Sequence, residues 1–178
     1  MSTPPRRRAA RIELESEEAA AHLKLAGFRV GRDAYAIDIM RIKEVIDARP
    51  HHVRPVPHAP ALVEGVIQLR GVVIPVVDLR RRFGVAIDPE LARLNKLIIV
   101  SVRGRIVGLR VDRIIGELGV SADAVRPAPS LLRSTDGGTP AEFFSGVCRR
   151  GDEMVFVVNL DALLDPAIGD GGARGGAT

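Results

Sequence analysis

The chain has 178 residues, 46% of them hydrophobic and 27% charged, with a formal net charge of +4. That is enough apolar material for one domain, or two small ones sharing a core, with no disulfide or metal needed to hold it together. The single cysteine, Cys148, excludes an internal disulfide and fits a reducing compartment. No apolar run approaches the ~20 residues of a membrane helix. The opening MSTPPRRRAARIELESEE also lacks the apolar segment of a signal peptide, so a cytoplasmic protein is expected.

The N-terminal arm, 1–21, is predicted to be disordered. Its arginines Arg6, Arg7, Arg8 and Arg11 are cancelled by Glu13, Glu15, Glu17 and Glu18, so the positive excess lies in the rest of the chain. There it is spread out, apart from Arg80-Arg81-Arg82. Aromatics are only 3% of the residues and tryptophan is absent. A single-strand binder stacks bases on aromatic rings, so no nucleic-acid partner is expected.

Beyond the arm, HLKLAGFRV and AYAIDI read as short β-strands separated by the turn residues Gly31-Arg32-Asp33. EGVIQLRGVVIPVVDL contains two further apolar runs on either side of Arg70-Gly71. Pro75 interrupts the second run, which places an edge or a bulge there. Asp78 then caps a helix of one or two turns in DLRRRFG. KLIIVSV and RIVGLRV follow as strands joined at Arg103-Gly104, then GVC and MVFVV joined through Arg149–Glu153. Asn159 caps a last short helix in NLDALLDP, and the Gly-rich tail 166–178 is expected to be flexible.

The chain repeats itself. VRPVP at 53–57 returns as VRPAP at 125–129, and the same spacing aligns Val30 with Val102, Ile37 with Leu109 and Ile42 with Ile114. After the inserted stretch LLRSTDGGTP, Gly65-Val66 matches Gly146-Val147, and Val76-Val77-Asp78-Leu79 matches Val157-Val158-Asn159-Leu160. Two diverged copies are inferred, at about 23–83 and 95–164 within a folded unit of 22–165. Five short strands per copy suit a small closed barrel. The expectation is an all-β protein of two small five-stranded antiparallel barrels, one per copy, with short helices.

Motifs for catalysis are missing from the sequence. It contains neither GxxxxGK[ST] nor GxGxxG, neither HExxH nor paired CxxC. His51, His52 and His58 share a Pro-rich loop at no standard metal spacing, and Cys148 sits in an apolar strand where a thiol packs rather than reacts. Arg54-Pro-Val-Pro57 matches a polyproline ligand, but its partial copy at 125–129 points to a recurrent turn between strands. Arg150-Gly151-Asp152 reads as a hairpin turn. No enzyme, cofactor or metal is expected.

Arg70 remains. Alternation places Ile67 and Leu69 on the core side and Val66, Gln68 and Arg70 outward. Such an arginine is either a solubilising charge or, beside so many valines and isoleucines, an anchor for another protein.

EGVIQLRGVVIPVVDLRRRFG resembles the signature of CheW-type chemotaxis coupling proteins. So do AYAIDIMRIKEVI at 34–46 and RIVGLRVDRIIGEL at 105–118, the likeness running over about 22–165. The resemblance implies two SH3-like barrels. It also implies a non-catalytic, cytoplasmic adaptor recruited to receptor arrays, between the cytoplasmic tip of methyl-accepting chemoreceptors and the regulatory domain of a CheA-type histidine kinase. By motif, Arg70 takes the receptor-facing position and Glu44 the acidic one. Ile42 and Val45 flank Glu44, and Gly65 opens the motif strand. The kinase-facing residues are left unassigned. Alternatives are the same module in a twitching or developmental pathway, or a basic β-barrel that binds RNA. Free tails at both ends suggest a stand-alone protein.

Overall fold

The computed structural model describes residues 22–128 and 139–165. The expected arms at 1–21 and 166–178, and most of LLRSTDGGTP, lie outside the described residues.

Ten strands follow in order: β1 (His22–Val30), β2 (Asp33–Asp38), β3 (Ile42–Asp47), β4 (Val63–Leu69), β5 (Val72–Asp78), β6 (Lys96–Val102), β7 (Arg105–Val111), β8 (Arg113–Ser121), β9 (Phe144–Arg150) and β10 (Glu153–Val158). Helix α1 (Leu79–Arg82) follows β5, and α2 (Leu160–Leu163) follows β10. The caps are those expected: the Asp78 carboxylate accepts from the Arg80 N–H, and the Asn159 side chain accepts from the Ala162 N–H.

The strands form two five-stranded sheets, ordered β8-β1-β2-β10-β9 in the first barrel and β3-β6-β7-β5-β4 in the second. This corrects the expectation of one barrel per copy. Each barrel takes the first two strands of one copy and the last three of the other. The cause lies in the chain between β2 and β3. Asp38 accepts from the Met40 N–H and starts a 3-10 turn, Ile39–Arg41, that carries the backbone across to the other sheet instead of folding it back. Between β7 and β8 a single residue, Asp112, makes the same crossing.

Exchange also corrects the wholly antiparallel expectation, because one pairing in each barrel is parallel: β5 with β7, and β10 with β2. Pro75 fits this arrangement. The parallel ladder begins at Val76↔Gly108, so at Pro75 the strand pairs only with β4 and its missing N–H costs no bond there.

The repeated VRPxP segments close the barrels. Arg54 exchanges both backbone hydrogen bonds with Val66 of β4, each 2.9 Å. Arg126 does the same with Val147 of β9, at 2.8 and 2.7 Å. In each barrel the chain leaving one edge strand thus returns onto the other. The segment is a closing bridge rather than the turn the repeat suggested. The close approach requires a glycine beneath it: a Cβ on Gly65 would lie 2.4 Å from the Arg54 carbonyl oxygen, and one on Gly146 2.7 Å from that of Arg126.

Three apolar clusters form among the described residues. Leu25, Ala36, Leu118, Cys148 and Val157 pack inside the first barrel; Ile67, Ile74, Leu97 and Ile99 pack inside the second. The largest cluster includes Phe28, Ile37, Leu79, Ile98, Leu109 and Phe143, and it joins the two barrels.

Closure makes the glycines sensitive. Gly65→Ala should destabilise the fold by roughly 2 kcal/mol or more, since backbone must move to admit the methyl. Gly146→Ala should behave alike. Gly119→Ala, on an exposed part of β8 with open space around it, should stay within about 0.5 kcal/mol. Urea titration of the three variants measures this; equal stability of all three would mean the bridges do not hold the barrels shut.

Candidate partner-binding site

Arg70 sits in the two-residue turn between β4 and β5, with φ 48°, and Gly71 follows at φ 80°. Both are left-handed, the geometry that matches the twist of a tight hairpin, and the Gly supplies it without steric cost. The turn lifts the guanidinium off the barrel, and its side chain is 71% exposed. From there it makes a two-pronged ion pair with Glu44 on β3: Nη1 donates to Oε1 at 2.5 Å and Nη2 to Oε2 at 2.8 Å. The hydrogen bond from Arg70 holds the Glu44 carboxyl below the usual carboxylate range, with the charges of Arg70 and His51 acting in the same direction.

β3 and β4 are the opposite ends of the sheet order. The ion pair therefore spans the seam of the second barrel. The two residues assigned to the receptor-facing position by motif meet each other, joined across that seam. Val72 and Val73, next to the turn, leave their side chains exposed (56% and 63%). Together they make a charged tip with an apolar flank.

The other motif residues fall differently. Val45 is exposed on the outward side of β3, opposite in alternation to Glu44. Ile42 is half-buried against the inter-barrel core, so it holds β3 in place rather than offering contact. Gly65 is buried beneath the Arg54 backbone and belongs to barrel closure, not to a binding surface.

A groove of about 430 Å³ opens elsewhere on the second barrel, between β5, β7 and α2. Pro60, Val63, Pro75, Val107 and Leu164 are among its walls, with Arg103, Arg105 and Asp161 at its rim. It opens where Pro75 delays the β5–β7 ladder. Neither Glu44 nor Arg70 lines it, although the β4–β5 hairpin carries Arg70 at its tip and Val63 and Pro75 nearer its base.

The arginine run at 80–82 is largely structural, a role its sequence density did not signal. Arg80 is 5% exposed. Its Nε and Nη2 donate to the two Asp78 oxygens at 2.9 and 2.8 Å, and Nη1 lies 3.6 Å from Asp112 Oδ1. With the Asn95 amide oxygen turned toward the guanidinium, Nη1 donates to it at 2.9 Å. Burial opposes the charge, but the Asp78 bonds and the Asp78 and Asp112 charges outweigh it and hold Arg80 protonated. Asp112 Oδ2 accepts from the Gly31 N–H of the first barrel at 2.7 Å, so this cluster ties the barrels together. Arg82 donates to the Leu163 and Asp165 carbonyls at the end of α2 and lies 4.5 Å above the Phe143 ring. Only Arg81 of the three is exposed.

Cys148 lies inside the first barrel, where burial pushes its thiol up, away from the reactive thiolate. Among the described residues no three His, Cys, Asp or Glu side chains are grouped to hold a metal ion. No helix among them is long and apolar enough to cross a membrane.

Two barrels sharing strands and a core, with a rigid charged hairpin tip and an apolar groove on the surface, have the make-up of a protein-binding module. The chain belongs to the CheW-like domain family, whose model matches residues 24–167. The chemotaxis protein CheW of Rhizobium meliloti (strain 1021) is 36% identical over 152 residues, which cover 82% of this chain and 93% of that protein. The chemotaxis protein CheW of Treponema pallidum (strain Nichols) is 33% identical over 144 residues, covering 79% and 81%. Among solved structures, the scaffolding protein TtCheW from Thermoanaerobacter tengcongensis is similar with a TM-score of 0.71 at 28% identity, covering 82% of this chain and 94% of that one.

The buried arginine yields a contrast within one short helix. Arg80→Ala should destabilise the protein by roughly 3–5 kcal/mol, because it strands the Asp78 and Asp112 carboxylates without a counter-charge. Arg81→Ala should change stability by no more than about 0.5 kcal/mol. Thermal or urea unfolding distinguishes them; similar values for both would remove the structural role assigned to Arg80.

Proposed function

We propose that this chain is a non-catalytic chemotaxis coupling adaptor. It joins the cytoplasmic tip of a methyl-accepting chemoreceptor to the regulatory domain of a CheA-type histidine kinase, working in the cytoplasm at receptor arrays. The family match over 24–167 supports the adaptor role. The observation that carries the site is the Glu44–Arg70 pair, held on a tight hairpin and flanked by exposed Val72 and Val73.

The receptor partner fits this tip as a helical surface with an apolar ridge and a carboxylate. The valines take the ridge, and the exposed outer side of the guanidinium meets the carboxylate. Glu44 keeps the guanidinium from swinging, so little side-chain freedom is lost on docking. The paired charges fix register, and the apolar flank supplies affinity. The kinase docks on other surfaces of the barrels. An RNA-binding barrel, the alternative class, loses its densest basic feature, because Arg80 and Arg82 are committed within the fold.

Arg70→Glu should leave the melting temperature within about 3 °C and weaken binding to a receptor-tip fragment by about tenfold or more. The kinase regulatory domain should bind it with little change. Glu44→Arg should do the same. The doubly exchanged protein should melt like the wild type yet still bind the receptor fragment poorly, because the exposed charge has changed sign. Because the folded-state pKa of Glu44 is depressed, the pair persists at neutral pH and is lost only as pH falls through that lowered value. Receptor binding should therefore be flat between about pH 7 and 6. Calorimetric titration of the variants against both partners is the measurement, and normal receptor binding by Arg70→Glu would defeat the assignment.

A further inference from the structure

The first barrel carries a hairpin equivalent to the one that presents Arg70. The repeat spacing sets β9–β10 against β4–β5, so Arg70-Gly71 corresponds to Gly151-Asp152, while Gln68 and Leu69 correspond to Arg149 and Arg150. The position equivalent to Glu44 is Gly116. In the second barrel a carboxylate neutralises the hairpin arginine; in the first, the equivalent residue has no side chain to do so.

The strand register gathers further arginines at the same end. Arg29 stands opposite Arg113 across β1 and β8, and opposite Ala34 of β2. Ala34 lies beside Val155 of β10, and Glu153 and Met154 stand opposite Arg150 and Arg149. Arg32 occupies the adjoining β1–β2 turn. Arg29 has close partners among the described residues: the Glu153 carboxylate at 2.6 Å and the Arg32 carbonyl at 3.0 Å. Arg149 reaches Asp152 at 4.0 Å with its side chain 73% exposed. Arg32, Arg113 and Arg150 are exposed, and among the described residues no carboxylate pairs with their guanidiniums. Met154, 53% exposed, sits among them.

We propose that this end of the first barrel is a second docking surface, separate from the Glu44–Arg70 tip, for an acidic segment of a protein partner. The chemistry selects that partner over other polyanions. Asp33, Asp152 and Glu153 are interspersed with the arginines and repel a continuous phosphate backbone or an anionic bilayer, whereas spaced carboxylates on a protein can avoid them. No aromatic ring is exposed at this end for base stacking. Met154 offers an adaptable apolar contact of the kind protein interfaces use. Unpaired guanidiniums form two-pronged bonds with carboxylates and raise the rate of encounter.

The test uses the full chain and a labelled extended peptide whose glutamates are spaced by serine and glycine, so that it lacks the helical apolar ridge the Glu44–Arg70 tip takes. A peptide with glutamine for glutamate, poly-uridine RNA and phosphatidylserine vesicles serve as comparisons. At about 0.05 M salt the acidic peptide should bind, and the glutamine peptide should not. Arg149→Glu combined with Arg150→Glu should weaken acidic-peptide binding by about tenfold or more with an unchanged melting temperature, while Arg70→Glu should leave it intact. Loss with Arg70→Glu but not with the double variant would overturn the proposal. So would no binding by the wild type, or tighter binding of RNA or vesicles than of the peptide. Because the Glu44–Arg70 reading is tested by receptor binding, the two assignments fail independently.

Discussion

Each barrel of this protein is completed by strands of the other copy, and everything else in the structure depends on that exchange. The pairings β1–β8, β2–β10, β3–β6 and β5–β7 all join residues from different copies. Neither half of the chain can therefore satisfy its backbone hydrogen bonds alone. The shared inter-barrel core and the buried Asp78–Arg80–Asp112 cluster add to the same constraint, linking β5 and α1 of the second barrel to the Gly31 turn of the first. The barrels are consequently fixed in relation to each other, and a surface on one has a defined position with respect to a surface on the other. An adaptor needs that property to hold two partners in one geometry.

Exchange also explains how charge is distributed. Buried guanidiniums are costly unless their bonds are met. Arg80 is accordingly enclosed by Asp78, Asp112 and Asn95, and it serves the fold. Arg70, at a hairpin tip, keeps its bonds to Glu44 while its outer side stays in water. The same residue type is thus enclosed at one site and left facing water at another, and distance from the inter-barrel core decides which. Comparing the two copies sharpens the distinction. Gly65 and Gly146 agree because both barrels must close, whereas the position of Glu44 is Gly116 in the other copy, which carries no carboxylate.

Much of the fold was legible in the sequence. Short β-branched runs between turn residues located eight of the ten described strands; β3 and β8 were not singled out. Asp78 and Asn159 marked the helix starts, and the repeat aligned strands that prove equivalent. What patterning cannot express is which strand pairs with which. Alternation depends on the faces of a strand, not on its neighbours, so the exchange and the parallel pairs were invisible. The same limit applied to the site. Glu44 and Arg70 could be singled out separately by motif, but their contact arises where the two ends of a sheet meet, 26 residues apart in the chain. Gly65 was drawn into the binding set because a signature glycine looks the same whether it admits a partner or a crossing backbone. Arg80 was noted only as part of a dense basic run, although Asp78 two residues before it is the signal that could have marked it as a partner for that carboxylate.

We propose that the receptor docks at the seam closed by Glu44 and Arg70. Amide-resolved NMR titration of the isotope-labelled full chain with an unlabelled receptor-tip hairpin tests this most directly, because it needs no substitution that disturbs the ion pair. Docking at the seam should concentrate the shifts at Glu44, Val45 and Gln68–Val73, with the Arg70 guanidinium signal moving as the partner carboxylate arrives. Shifts confined to the β9–β10 end of the first barrel, with Glu44 and Arg70 unmoved, would contradict it.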